Sequence, residues 1–308
     1  MRPFTSFTKS TVATLAVTVL GAISVTMAPS FAAEPDWNKV GQALGKSGKV
    51  QAGGVYRVGF PRTDLNVSLD GVPLRTGFAF GGWVAFQPVG DQAMVMGDLV
   101  LTQEEITPVM RKLVDDGLQI TAVHNHLLRA QPMTLYMHIE GHGEPVALAH
   151  AIHDGLAMSK TPFAPPPGTS TPANIDMLGI DRIMGARGQD NGGIYQFGIP
   201  RAQPVTEQGM TLPPPMGSAI GINFQPTGFD TAAITGDFVL TAKEVNPVIG
   251  ALKDAGIEVT ALHSHMLQEE PRLFFMHFWA NDDALKLARG LRAALDKVDI
   301  RKEVAHDK

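Results

Sequence analysis

Gly97-Asp98-Leu99-Val100-Leu101-Thr102 returns as Gly236-Asp237-Phe238-Val239-Leu240-Thr241, and Thr121-Ala122-Val123-His124-Asn125-His126 returns as Thr260-Ala261-Leu262-His263-Ser264-His265. Both pairs are offset by 139 residues, as are Pro132 and Pro271, and Met137-His138 and Met276-His277. Laid on Gly236–His277 without a gap, Gly97–His138 gives 19 identities in 42 positions. A period this long means two copies of a domain, not a solenoid of short units. Upstream the match thins but persists. Tyr56, Gly59, Pro61 and Arg62 match Tyr195, Gly198, Pro200 and Arg201, and Phe86-Gln87-Pro88 matches Phe224-Gln225-Pro226 with one residue slipped.

Within each copy the pattern predicts α+β structure, a mostly antiparallel sheet covered by helices. A hairpin is expected around Val84–Phe86 and Met94–Leu101. Thr102 with Glu105 makes a capping box, and Ile106, Val109, Met110, Leu113 and Val114 mark one helical face that Gly117 ends. Thr241, Glu244 and Gly256 repeat these signals. A strand near Leu118–His126, a turn at Pro132, a strand near Thr134–Ile139 and a helix from Glu144 to Met158 complete the unit; Asp282–Asp296 is the matching last helix.

The boundaries follow. Residues 1–32 read as a signal peptide: Arg2 and Lys9 precede an uncharged stretch, and Ser30-Phe31-Ala32 offers small residues for cleavage. Residues 33–160 form repeat one, 161–175 a Pro/Thr/Ser linker of semi-rigid composition, and 176–308 repeat two. Loss of Arg2 and Lys9 would take the formal charge from −5 to −7. An acidic chain without Lys/Arg runs argues against nucleic acid. The absence of cysteine excludes disulfides, thiolate metal sites and a lipidated N-terminus. No later apolar run is long enough for a membrane span, so the mature chain is expected free in the periplasm or secreted.

Histidine carries the chemistry. Six of the ten histidines occupy the same three positions in both copies: His124, His126 and His138, then His263, His265 and His277. Alternation along a strand puts His124 with His126, and His263 with His265, on one face, continuing the row Leu118, Ile120, Ala122 in repeat one. The third histidine can return alongside on the next strand. Two imidazoles from one strand and one from its neighbour suit a divalent metal, zinc first, with iron or copper also compatible. Met beside His, as at Met137 and Met276, suits copper(I) or simply fills a core. One such site is expected per lobe. Glu269 and Glu270 follow the second pair only, where repeat one has Ala130 and Gln131. They are the candidate general base if the chain is an enzyme, which would centre on repeat two. Gly97-Asp98 and Gly236-Asp237 read mainly as turn features, and Arg62 and Arg201 as ion-pair residues or anion contacts.

Two resemblances follow from these motifs. His263-x-His265 with Glu269 resembles the first metal motif of cupin barrels, but the glycine expected next is missing and the helices do not suit a jelly roll. The paired TAVHNH and TALHSH segments, GDLVLT and GDFVLT, and EEPRLFFMHFW together resemble the LppY/LpqO family of exported bacterial proteins, over roughly residues 35–297. That resemblance implies export and a tandem domain of unknown function; it lends no reaction. Three functions remain open: binding of a divalent metal or small ligand, a metal-dependent hydrolase or other metalloenzyme, and a structural envelope protein with core histidines.

Overall fold

The computed structural model describes Met1 and residues 34–164 and 172–301. The expected signal peptide, Met1 apart, and the middle of the linker lie outside the described residues. Repeat one runs α1 (Trp37–Leu44), β1 (Tyr56–Pro61), β2 (Gly81–Val89), β3 (Gln92–Thr102), α2 (Gln103–Asp115), β4 (Gln119–His124), β5 (Thr134–Gly143) and α3 (Pro145–Leu156). Repeat two runs α4 (Met177–Met184), β6 (Tyr195–Pro200), β7 (Ala219–Pro226), β8 (Thr231–Thr241), α5 (Ala242–Asp254), β9 (Glu258–His263), β10 (Leu273–Asp283) and α6 (Ala284–Leu295). The first sheet is ordered Lys49–Val50, β1, β2, β3, β5, β4, and the second repeats that order from Gln189–Asp190 through β6, β7, β8 and β10 to β9. All neighbours pair antiparallel, as the α+β reading requires.

Both capping boxes form, at Thr102 with Glu105 and Thr241 with Glu244. Each capping glutamate also takes a buried arginine: Arg62 Nη1 donates to Glu105 Oε2 at 2.7 Å, and Arg201 Nη1 to Glu244 Oε2 at 2.9 Å. The same Nη1 atoms donate to the Val100 and Val239 carbonyls, stapling helix start to sheet. Arg62 and Arg201 are therefore structural.

Helices cover one face of each sheet. In repeat one, Val84, Phe86, Leu99, Leu101, Met137 and Ile139 pack there against Val109, Leu113 and Ile152. The other face turns to the second repeat. Ala85, Met94 and Met96 share a core with Met216 and Ile220, while Val100 and Tyr136 share one with Ala233 and Trp279. The described residues after Ala33 form one compact unit.

One expectation about faces is reversed. The β4–β5 register shifts between Ile120 and Ala122, and the β9–β10 register between Val259 and Ala261. The extra residue is Thr121 in one copy and Thr260 in the other. Leu118 and Ile120 therefore join the helix-side core, while Ala122 and His124 face the opposite way, opposite His138 and Tyr136. A bulge inserts one residue and so exchanges the faces that simple alternation assigns. The histidines do not continue the apolar row; they lie between the repeats.

Candidate metal centre

Register builds the site. Asp98 on β3 pairs with His138 on β5, and His138 with Ala122 on β4, so all three share the inward face. Asp237, His277 and Ala261 repeat this in the second copy. His126 and His265 follow just beyond the ends of β4 and β9. Contacts across the repeats are reciprocal: Thr121 Oγ1 donates to the His265 carbonyl at 2.6 Å, and Thr260 Oγ1 to the His126 carbonyl. Gln131–Pro132 and Glu270–Pro271, both cis, occupy the matching turns.

The two expected sites are one. His124 stacks on His263 with ring centroids 3.5 Å apart, His126 on His277 at 3.7 Å, and His138 on His265 at 3.7 Å. Exchanging the repeats maps the first pair onto itself and swaps the other two, so an approximate two-fold axis passes between His124 and His263. Tyr136 and its counterpart Phe275 close the ends, stacked on His126 at 3.3 Å and His265 at 3.5 Å. Three trios have ligand atoms within 4.8 Å of one another: His124, His126 and His277; His124, His138 and His265; and His263, His265 and His277. Two of the three mix the repeats. The trio His263, His265 and His277 expected from the sequence forms, whereas His124, His126 and His138 make no trio of their own, and the expectation of a separate site in each lobe is corrected: with its helix-free face turned to its twin, each sheet brings its histidines to the same place.

The tautomers suit metal binding. The Nδ1 atoms of His124, His263 and His277 lie 3.2, 3.3 and 2.8 Å from the Asn125, Ser264 and Gly236 carbonyls. A carbonyl only accepts, so these Nδ1 atoms carry the hydrogen and leave the Nε2 lone pair free. All six Nε2 atoms are buried without a hydrogen-bond partner, as are Oδ1 of Asp98 and of Asp237. The carboxylates stand close: Asp98 Oδ1 is 3.7 Å from His138 Nε2, and Asp237 Oδ2 is 3.6 Å from His265 Nε2. Such gaps are too long for hydrogen bonds, yet shorter than the sum of two metal–ligand bonds of about 2.0–2.2 Å each.

Burial sets the charge state. It pushes His124 down to about 3 and His263 to about 4, and holds His126, His138, His265 and His277 well below the usual imidazole range, so all six are neutral. Burial pushes Asp98 up to about 7 against the opposing charge of Arg57, and raises Asp237 with Asp98 adding to the effect.

Glu269 and Glu270 are not part of the cluster. Glu269 accepts from Leu273 N at 3.0 Å and Arg272 Nη1 at 3.1 Å, and Glu270 pairs with Thr206 in a small added sheet. That local sheet uses the carboxylates at the turn before β10 and leaves neither in a histidine trio. Of the methionines, Met137 and Met276 fill the helix-side cores, while Met96 and Met266 line a narrow space beside His138 and His265. The acids of the site are Asp98 and Asp237. Their signal was present, since Gly-Asp recurs in both copies at the same distance from the histidines.

A family model described as Domain of Unknown Function (DUF1259) matches residues 38–158 and again 179–297. The chain belongs to this family. The two matches coincide with the two copies, so the duplication is a duplication of the family's domain. No curated protein matches the chain. Among solved structures, a trimeric bacterial microcompartment shell protein, PduB, aligns over 83% of this chain and 96% of its own at 11% identity, with a TM-score of 0.20, too low to carry an argument.

Proposed function

We propose that the protein is an exported metal-binding protein whose single centre is assembled by both repeats, with imidazole Nε2 atoms as ligands and Asp98 and Asp237 beside them. The observation that carries this reading is the set of eight buried, unpartnered polar atoms converging on one space. Each such atom costs about 1–3 kcal/mol when unpaired. Together they rival the whole 5–15 kcal/mol stability of a typical domain, so bound metal that takes about four of them as ligands is the economical account. A d-block divalent ion, zinc foremost, matches neutral imidazole, and iron or copper matches it too. The N-terminal pattern and the resemblance to the LppY/LpqO family support residence in the periplasm or outside the cell.

The test is elemental analysis of protein produced without a histidine tag. Near-stoichiometric metal is expected in the wild type, with loss in His124→Ala and equally in His263→Ala, although the two belong to different repeats. Retention of half the metal in each variant would restore two independent sites. A metalloenzyme reading is favoured by one feature: Asp98 lines an open cleft with His126 and His138, which puts a carboxylate where a proton acceptor beside a metal-bound ligand would stand.

A further inference from the structure

Arg57, Trp83, Asp98, His126, His138 and His265 line a cleft of about 430 Å³ that leads to the histidines. The Arg57 guanidinium lies 3.8 Å over the Trp83 ring, and its Nη1 donates to the Pro215 carbonyl of the other repeat. Among the described residues no carboxylate reaches ion-pair distance of it. The matching residue in repeat two is Gln196, whose amide donates to the Gly77 carbonyl at 3.1 Å, the mirror of the Arg57 contact. A neutral amide therefore suffices to bridge the repeats, and the positive charge at Arg57 exceeds what that bridge requires. Trp83, which supports the guanidinium, likewise matches Gly221. Gly198 and Gly221 line the same cleft as the arginine, and a Cβ placed on either would meet nothing within 4 Å, so that wall of the cleft is open.

A guanidinium offers five donors in a planar fork that fits a carboxylate with two parallel bonds, and only one donor is used here. We propose that this cleft binds a small organic carboxylate, its acid group on Arg57 and the remainder directed at the Nε2 atoms of His138 and His265. A singly charged carboxylate suits the cleft better than a phosphate dianion, because Asp98 and Asp237 line the same space. The second half of the proposal rests on the metal-binding reading; the Arg57 subsite does not.

Calorimetric titration of the full-length protein with butyrate tests it, with butyramide and inorganic phosphate as comparators and metal content measured on every sample. Butyrate is expected to bind, butyramide not. Arg57→Gln, which installs the residue repeat two already carries, should keep fold and metal and weaken butyrate at least tenfold. Equal butyrate affinity in Arg57→Gln, no butyrate binding by the wild type, or tighter binding of phosphate than of butyrate would overturn the proposal. Arg57-dependent butyrate binding by a wild type that holds no metal would uphold the subsite and refute the metal centre. Metal bound with no Arg57-dependent butyrate binding would do the reverse.

Discussion

Metal-free protein is expected to lose stability steeply between pH 7 and 5. In the fold, burial holds His124 at about 3 and His263 at about 4, with the other four centre histidines also well below their usual range. In the unfolded chain each titrates near ~6.5. Between those values the unfolded state binds protons that the folded state refuses, so stability falls as pH falls through about 6.5 and goes on falling toward the folded values. Each histidine contributes a slope of about 1.4 kcal/mol per pH unit in that window. His124 and His263 alone then remove about 4 kcal/mol between pH 7 and 5, a large part of a 5–15 kcal/mol total. Urea unfolding followed by tryptophan fluorescence, in chelator and at half-unit steps, measures this. A His124→Gln/His263→Gln variant should flatten the slope below pH 6 by about 3 kcal/mol per unit. Excess zinc should move the whole loss to lower pH, because metal and proton compete for the same Nε2 atoms. Parallel wild-type and variant curves would show that the imidazoles are not buried neutral, and the reasoning would fail.

Other outcomes follow from the frame around the centre. Burial pushes the Glu244 carboxyl up, but hydrogen bonds from Arg201, Asp299 N and Thr241 outweigh it and hold the group at about 2, so its stabilisation is present above the unfolded value and lost as pH falls toward 2. Glu244→Gln leaves Arg201 buried without its counter-ion and should cost about 3–5 kcal/mol in urea unfolding at neutral pH; a cost below about 1 kcal/mol would contradict the pairing. Gly236→Ala would place a Cβ 2.1 Å from the Gly221 carbonyl oxygen and should destabilise by about 3 kcal/mol or more, whereas Gly221→Ala meets open space and should stay within about 0.5 kcal/mol, both read as shifts in urea midpoint. Thr260→Val removes the hydroxyl that donates to the His126 carbonyl and should cost about 1 kcal/mol while lowering zinc affinity in a competition titration; unchanged affinity would mean the bond does not position His126.

The parts of the fold legible in the sequence were those written in local chemistry. Capping boxes at Thr102 and Thr241 marked both long helices, and the 139-residue echo marked the duplication. The added small sheets were not legible. Val67–Leu69 with Val72–Leu74, and Thr206–Glu207 with Met210–Thr211, are two- and three-residue strands in loops rich in Gly and Pro, too short to show a period. The six histidines were legible as residues but not as one site, because strand spacing says which side chains share a face and nothing about what covers it. The asymmetry that drew attention, Glu269 and Glu270 against Ala130 and Gln131, serves a local turn. Arg57 against Gln196, which concerns the cleft, stood in plain view without a motif around it.

The bulge joins these failures to the chemistry. Were Thr121 and Thr260 held in a regular ladder instead of bulged out of it, a strict period of two would point His124 and His263 at the helices, among Val109 and Leu113 or Val248 and Leu252. With the extra residue, the same strands feed the helix-side core with Ile120 and Val259 and then present imidazoles inward. The bulged threonines are not idle, since each hydroxyl crosses to a carbonyl of the opposite histidine pair. The bulge therefore absorbs the extra residue, keeps the imidazoles on the inward face, and pins the two repeats at the point where their histidines stack. Deleting Thr121 leaves Ile120 and Ala122 in regular succession opposite Ile139 and His138, so His124 should stay inward, but the tie to the His265 carbonyl is lost and metal affinity should fall; unchanged metal affinity in that variant would show that the bulged threonine is dispensable to the centre.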